Sequence, residues 1–247
     1  MTLIISLACK DGTILASDGQ ATFFSIGGPI RRTISKVKRL GEYKLWAASG
    51  TVGMIQKIET VFNNLPKEIL NAPLTEPQLR QAILQNAHVL RVQELQRHRS
   101  LHGQGRDIEA GVADLLIVEY QGNSRIWHIN PDCVDESLEE FGYGVSGSGD
   151  VFAHTLLKNF KIKELSVEQG CLIAYRVLRD AIDIGAFGLG EPIDIWVIDN
   201  SGVKQKSQPE MFALRDSYGI WMEAEEATFT NLLLKEIKKP PNPTSQK

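Results

Sequence analysis

Thr2-Leu-Ile-Ile-Ser-Leu-Ala-Cys9, Lys10-Asp-Gly12 and Thr13-Ile-Leu-Ala-Ser-Asp18 open the chain, and the order of these three pieces sets its architecture. Residues 3–9 and 12–18 are apolar runs rich in β-branched side chains, and the turn between them is the punctuation of a β-hairpin. Along the second run Ile14, Ala16 and Asp18 share one face. A carboxylate there is costly unless a cation or hydrogen-bond donors meet it. A second strand pair is predicted at about 34–40 and 43–49, joined at Gly41-Glu42, so the chain up to residue 50 reads as one antiparallel sheet.

Outward from this sheet come two helical stretches. The first carries Ile55, Ile58, Phe62 and Leu65 on one face. The second opens with Thr75-Glu-Pro-Gln78, a capping-box pattern with an early proline, and turns Leu79, Ala82, Ile83, Ala87 and Leu90 inward. A polar loop is expected near 99–108, then strands at about 112–120 and 124–129. Residues 148–160 read as a short helix, and Ser166-Val-Glu-Gln169 caps a longer one that buries Val167, Ala174, Val177, Leu178 and Ala181. Strands at 193–199 and 202–205 follow, then a last helix from about 222. The polar, proline-rich residues 236–247 are expected to be disordered. With no long linker, this order predicts a single domain over 1–235, with two sheets face to face and helices on both outsides.

Composition narrows the function classes. The 247 residues are 43% hydrophobic, enough for a real core, which excludes disorder as the main state. Basic and acidic residues nearly balance, 27 against 30, so neither nucleic acid nor a membrane surface is an expected partner. The apolar start, Met1 to Cys9, is too short for a signal peptide or a membrane span, and Cys9, Cys133 and Cys171 are scattered without metal spacing. The chain reads as reduced and cytoplasmic.

Threonine directly behind the initiator methionine is the first chemical feature, because removal of Met1 leaves Thr2 with an α-amine beside its own hydroxyl. An α-amine with a pKa of roughly 7.7–8.0 can take the hydroxyl proton without a histidine. Lys36, in the strand-like Ile34-Ser-Lys-Val37, is the cation expected to meet Asp18 and to lower the pKa of a nearby amine or hydroxyl. Ala47-Ala-Ser-Gly-Thr51 ends a strand and opens a helix, a junction that presents backbone N–H groups at the positive end of a helix dipole. Gly144-Val-Ser-Gly-Ser-Gly-Asp150 lacks the Gly-Lys-Ser/Thr ending and the GxGxxG pattern of phosphate cradles, so close packing around another site explains it better, with Ser148 reaching a polar group. Of five histidines only His98 and His102 share helical spacing, without a third ligand, so no metal and no cofactor is expected.

Thr2, the hairpin Lys10–Asp18 with Gln20-Ala-Thr22, Lys36-Val, Ala48-Ser-Gly50, Gly147-Ser-Gly149 and Pro192-Ile-Asp194 together resemble the proteasome β subunit family, including its bacterial proteasome-like homologues. The resemblance covers roughly residues 2–200 and implies the N-terminal-nucleophile hydrolase fold, an α+β four-layer αββα sandwich. It implies a threonine peptidase: Thr2 as nucleophile with its own amine as base, Asp18 holding Lys36, Lys36 tuning the hydroxyl, the Gly50 N–H stabilising the oxyanion, and Ser148 positioning the amine. Gln20 and Thr22, with the backbone near Gly50 and Val52, would bind an extended peptide, and the small Ala48 would admit a sizeable apolar side chain. A homo-oligomeric ring enclosing the sites, an unfolded protein or peptide as substrate and an ATP-dependent unfoldase feeding it are implied in the same way.

Two positions depart from the family pattern. Where the family has an aspartate and a serine beside the threonine, this chain has Ala186 and Leu189, with Asp180 or Asp183 as substitutes only after a register shift. The usual arginine after the Asp18 motif is Gln20. A catalytically weak ring or scaffold protein of the same fold is therefore the alternative reading, and an amidase for small molecules a third.

Overall fold

A computed structural model describes residues 1–25, 28–103, 111–185 and 188–237. The opening hairpin forms as its sequence predicts, with β1 (Leu3–Cys9) antiparallel to β2 (Gly12–Asp18) and Cys9 opposite Gly12. Both strands are buried along their whole length. That is possible because the hairpin is central to its sheet and covered on both faces.

The region expected to pair 34–40 with 43–49 divides differently. The preceding residues form a separate two-stranded ribbon, β3 (Gln20–Ser25) with β4 (Gly28–Thr33), leaving only β5 (Val37–Arg39) to pair with β6 (Lys44–Gly50). The bend at 34–36 between β4 and β5 carries Lys36 out of the ladder and back toward Asp18.

Three helices follow: α1 (Val52–Asn64), a short α2 (Lys67–Asn71) and α3 (Pro77–His102). The last is 26 residues long and runs into the stretch read as a loop, whose remainder, 104–110, lies outside the described residues. Its N-cap is Glu76 and no side chain caps it, so the Thr75-Glu-Pro-Gln78 box does not form. Leu79, Ile83 and Ala87 are buried, whereas Ala82 and Leu90 are half-buried, because the inward face continues to Glu94 and His98 instead.

Strands β7 (Ala113–Tyr120) and β8 (Ser124–Ile129) appear where expected. Two more, β9 (Asp135–Ser137) and β10 (Tyr143–Gly147), complete two five-stranded antiparallel sheets in the orders β5-β6-β7-β8-β9 and β10-β1-β2-β11-β12. The latter ends with β11 (Ile193–Asp199) and β12 (Gly202–Gln205). Helix α4 (Asp150–Leu157) precedes α5 (Val167–Ile184), which opens with the predicted capping box, Ser166 with Gln169.

An apolar core that includes Ile4, Leu15, Leu45, Leu116 and Ile198 fills the space between the sheets. Trp46, Ile117 and Trp127 on the opposite face of the β5-β6-β7-β8-β9 sheet pack on Ile58, Phe62 and Ile83 of α1 and α3. On the other outside, α5 lies on β1 and β2 because Gly170 has no side chain: a Cβ there would sit 2.5 Å from Cys9 Sγ and 2.7 Å from Ile14 Cδ1. The four layers therefore run helix, sheet, sheet, helix, the α+β sandwich read from the sequence.

This sandwich is one compact unit, Met1–Lys206, and the chain from Ser207 forms a second. There α6 (Gln208–Ile237) begins well before residue 222, because the Ser207 N–H donates to Glu210 Oε2 at 2.7 Å and caps its first turn. Residues 238–247 of the expected tail lie outside the described residues. Among the described residues no helix is long and apolar enough to cross a membrane.

Candidate active site

At the end of β2 the Asp18 carboxylate is fully buried and meets four donors. Lys36 Nζ at 2.5 Å and the Leu3 N–H at 3.0 Å donate to Oδ1; the N–H groups of Gln20 and Gly190 donate to Oδ2 at 3.2 and 3.3 Å. Three backbone donors and an ammonium are what makes a buried carboxylate tolerable. Burial, only partly offset by Asp18, pushes the Lys36 ammonium below the usual lysine range.

Lys36 has a further donor, which reaches the Met1 carbonyl oxygen at 3.4 Å, and Thr2 Oγ1 donates to the same oxygen at 2.8 Å. The two groups thus converge on one point. The Thr2 carbonyl is fixed from the other side by Ser148, whose N–H donates at 2.8 Å and whose hydroxyl lies at 3.4 Å. Gly147 makes that approach possible: its φ is +111°, and a Cβ there would stand 2.0 Å from the Thr2 oxygen. The chain's α-amine, on Met1, is pushed below its ordinary range by burial and then by Lys36, against the opposing pull of Asp18.

A cavity of about 250 Å³ opens beside these groups. Thr2, Lys36, Gly50, Thr22, Ala48 and Val52 all line it. Gly50 has φ +123°, and a Cβ there would come within 2.3 Å of the Val112 carbonyl oxygen, so the strand-to-helix junction requires glycine. Helix α1 starts two residues later without an acidic residue in its first turn, which leaves the positive end of its dipole facing the cavity. The Thr22 hydroxyl has no hydrogen-bond partner among the described residues.

Two sequence candidates lie behind the wall. Asp18 meets the cavity only by way of its bond to Lys36, and Gln20 donates its side-chain amide to the Gly188 carbonyl at 2.9 Å, tying the 188–190 segment to β3. That segment contributes backbone: Gly188 accepts from Gln20, and Gly190 donates to Asp18. Leu189 is buried near Leu3 and Gly149, while Ala186 lies outside the described residues. Asp183 is ion-paired with Arg179 on its own helix, and Asp180 with Arg176.

Beyond Val52, sequence reasoning missed the far wall of the cavity. Ile55, Gln56 and Glu59 continue it from Val52 along one face of α1, and Glu59 is ion-paired with Lys38 of β5. Their i, i+3, i+4, i+7 spacing was the available signal. It was masked because Ile55 also fits the apolar stripe of Met54, Ile58 and Phe62, which points into the core.

Comparison with known proteins bears on the family and the fold. A family model described as "Proteasome subunit" matches residues 2–198. Relatives include "Proteasome subunit beta" of Methanococcus aeolicus, 26% identical over 85% of this chain and 89% of that one. The protein of the same name from Jonesia denitrificans is 28% identical over 87% and 70%. Among solved structures, an Anbu (Gly-1) mutant from Hyphomicrobium sp. strain MC1 superposes with a TM-score of 0.67 at 13% identity, covering 93% of this chain and 97% of that one. At that identity it speaks to the fold alone.

Proposed function

We infer that this chain, which belongs to the proteasome subunit family, is a threonine-type endopeptidase. The observation that carries this reading is the convergence of Thr2 Oγ1 and Lys36 Nζ on one oxygen at the cavity wall, with Asp18 holding the lysine. Once Met1 is removed, the Thr2 α-amine takes the place of a peptide nitrogen and becomes the base. Thr2 Oγ attacks a peptide carbonyl, the amine accepts the hydroxyl proton and returns it to the leaving nitrogen, and water then hydrolyses the ester. The Gly50 N–H and the α1 dipole stabilise the oxyanion. Burial and Lys36 lower the pKa of the Met1 amine, and Lys36, which stands beside Thr2, acts in the same direction on a Thr2 α-amine and favours its neutral, basic form.

The extended substrate binds along β3 and the Gly50–Val52 junction by strand addition, with one side chain in the cavity over Ala48. A homo-oligomeric ring in the cytoplasm, supplied with unfolded protein by an ATP-dependent unfoldase, completes the reading. The buried Leu189 favours a second one, a ring protein of the same fold with little or no activity. Intact mass after treatment with a peptide epoxyketone, which needs both hydroxyl and free amine, separates the two. Loss of Met1 with one adduct, absent in Thr2→Ala, supports the peptidase. Retained Met1, or a processed chain that forms no adduct, supports the scaffold.

A further inference from the structure

A chain of hydrogen bonds runs from the cavity wall through the space between the sheets to solvent. Ser49 Oγ lies 2.8 Å from Ser146 Oγ, and Ser146 Oγ lies 2.6 Å from Asp114 Oδ2. His128 Nε2 is 2.5 Å from Asp114 Oδ1, and His128 Nδ1 is 2.8 Å from Glu136 Oε1. An ionised carboxylate only accepts, so Ser146 donates to Asp114 and Ser49 donates to Ser146. Both serine bonds thus run toward Asp114, which His128 meets from the other side, and the network crosses from β6 to β10 and back to β7, β8 and β9.

Its position gives it a role. Ser49 precedes Gly50, and Ser146 precedes Gly147, the residue under the Thr2 carbonyl. One serine–serine bond therefore joins the two backbone segments that flank Thr2. Both serines are buried, and His128 is separated from them by Asp114, so this is no nucleophile with its base. Glu136 at the far end is exposed and lets protons reach His128.

Taking the Thr2 site as catalytic, we propose that Ser49, Ser146, Asp114, His128 and Glu136 form a pH-sensitive brace in which the His128 imidazolium is a positioning residue for Gly50 and Gly147. An imidazolium has two N–H donors and satisfies Asp114 and Glu136 together; a neutral imidazole has one and turns a lone pair toward the other carboxylate. The groups facing His128 are Asp114 from β7 and Glu136 from β9, with the Ser146 hydroxyl beyond Asp114 from the opposite sheet. Asp135, the other acidic residue of β9, bonds Arg80 and Trp127 instead. Burial disfavours the imidazolium, but the two carboxylates outweigh it and raise its pKa above the ordinary histidine value. Loss of the second proton as pH rises loosens Asp114, then the serine pair, and the site declines.

The test combines histidine titration with glycine reporters. In protein labelled at histidine Cε1 and glycine nitrogen, NMR follows His128, assigned with His128→Gln, beside the Gly50 and Gly147 amides. Epoxyketone modification is measured over the same pH range for the native chain and Glu136→Gln, whose altered side chain is exposed. The brace predicts that both glycine amides shift with the His128 midpoint, and that Glu136→Gln lowers this midpoint by about one pH unit, the glycine inflections and the alkaline decline of modification moving with it. Glycine amides indifferent to His128, or left in place when Glu136→Gln moves the midpoint, overturn the proposal. Glycines that track His128 in a chain that forms no adduct at any pH uphold the brace and sink the peptidase reading.

Discussion

Two lysines in this fold are buried against carboxylates, and only one of them belongs to the site. Lys44 lies beside Glu119 at 3.4 Å, both side chains wholly inaccessible, much as Lys36 lies beside Asp18. Burial is the main influence on both lysines and lowers the pKa of each. The difference is in what remains of their donors. Lys44 also donates to the Leu70 carbonyl at 2.9 Å, and Glu119 is completed by Arg125 and the Leu74 N–H, so every group looks inward. Lys36 keeps a donor for the Met1 oxygen beside the cavity. Burial of a charge pair is thus no mark of function by itself; a second donor directed to a cavity wall is what sets Lys36 apart.

The sharpest way to break this comparison is to replace each lysine in turn. Lys36→Met should reduce epoxyketone modification or peptide turnover by about 10²–10³-fold, since it removes the charge beside Thr2. Comparable turnover in that variant would make Lys36 a structural residue like Lys44. Lys44→Met should instead lower stability by about 3 kcal/mol in urea unfolding, leaving the activity of each folded molecule unchanged. Arg125→Met strips Glu119 of its second cation while keeping Lys44, and a loss of about 1–2 kcal/mol is expected from the same measurement.

A solvated cluster supplies the lower bound. Glu94 on α3 bonds Arg97 and Lys57, whose side chains are about half exposed or more. Chiefly through the Arg97 bond, and despite burial, its carboxyl is held down at about 2. A depressed carboxyl pKa contributes stability above the unfolded value of about 4.3 and loses it as pH falls toward 2. Glu94→Gln should therefore cost no more than about 1 kcal/mol at pH 7, and the gap to the native chain should close between about pH 4 and 2 in acid-titrated unfolding.

The pH dependence of modification extends the comparison to the amine. Its acid limb should rise with a midpoint below the usual α-amine range of about 7.7–8.0, because Lys36, which with burial lowers the pKa of the Met1 amine, stands beside Thr2 and disfavours an ammonium there too. A midpoint at or above that range would mean that Asp18 dominates the amine, not Lys36.

Legibility followed sequence separation. The β1–β2 hairpin, the α5 capping box and its inward stripe are short-range patterns, and each appears in the fold as read. The β3–β4 ribbon was hidden because its partner strand offers Gly28-Pro-Ile-Arg-Arg-Thr33, polar and without clear alternation. Strand β10 was hidden by its glycines: Gly144 sits where a Cβ would be 2.8 Å from Ser6 Oγ, so the residue that makes the strand fit also removes its propensity signal. In the site, Thr2, Asp18, Lys36 and Gly50 were found through local context and family resemblance. Gln56 and Glu59 were not, since the spacing that joins them to Val52 is shared at Ile55 with the apolar stripe of the core.

By itself the sequence determined most of the element types, the central hairpin, the capped helix and a threonine directly behind the initiator methionine, because these depend on turn chemistry, periodicity and order within a few residues. Tertiary structure alone decided which donors complete Asp18, since they come from residues 3, 20, 36 and 190. It likewise paired Ser49 with Ser146, 97 positions apart. Such contacts arise from stacking two sheets about their shared core, and hydrophobic burial over the whole sandwich, not any local preference, fixes where those distant polar atoms meet.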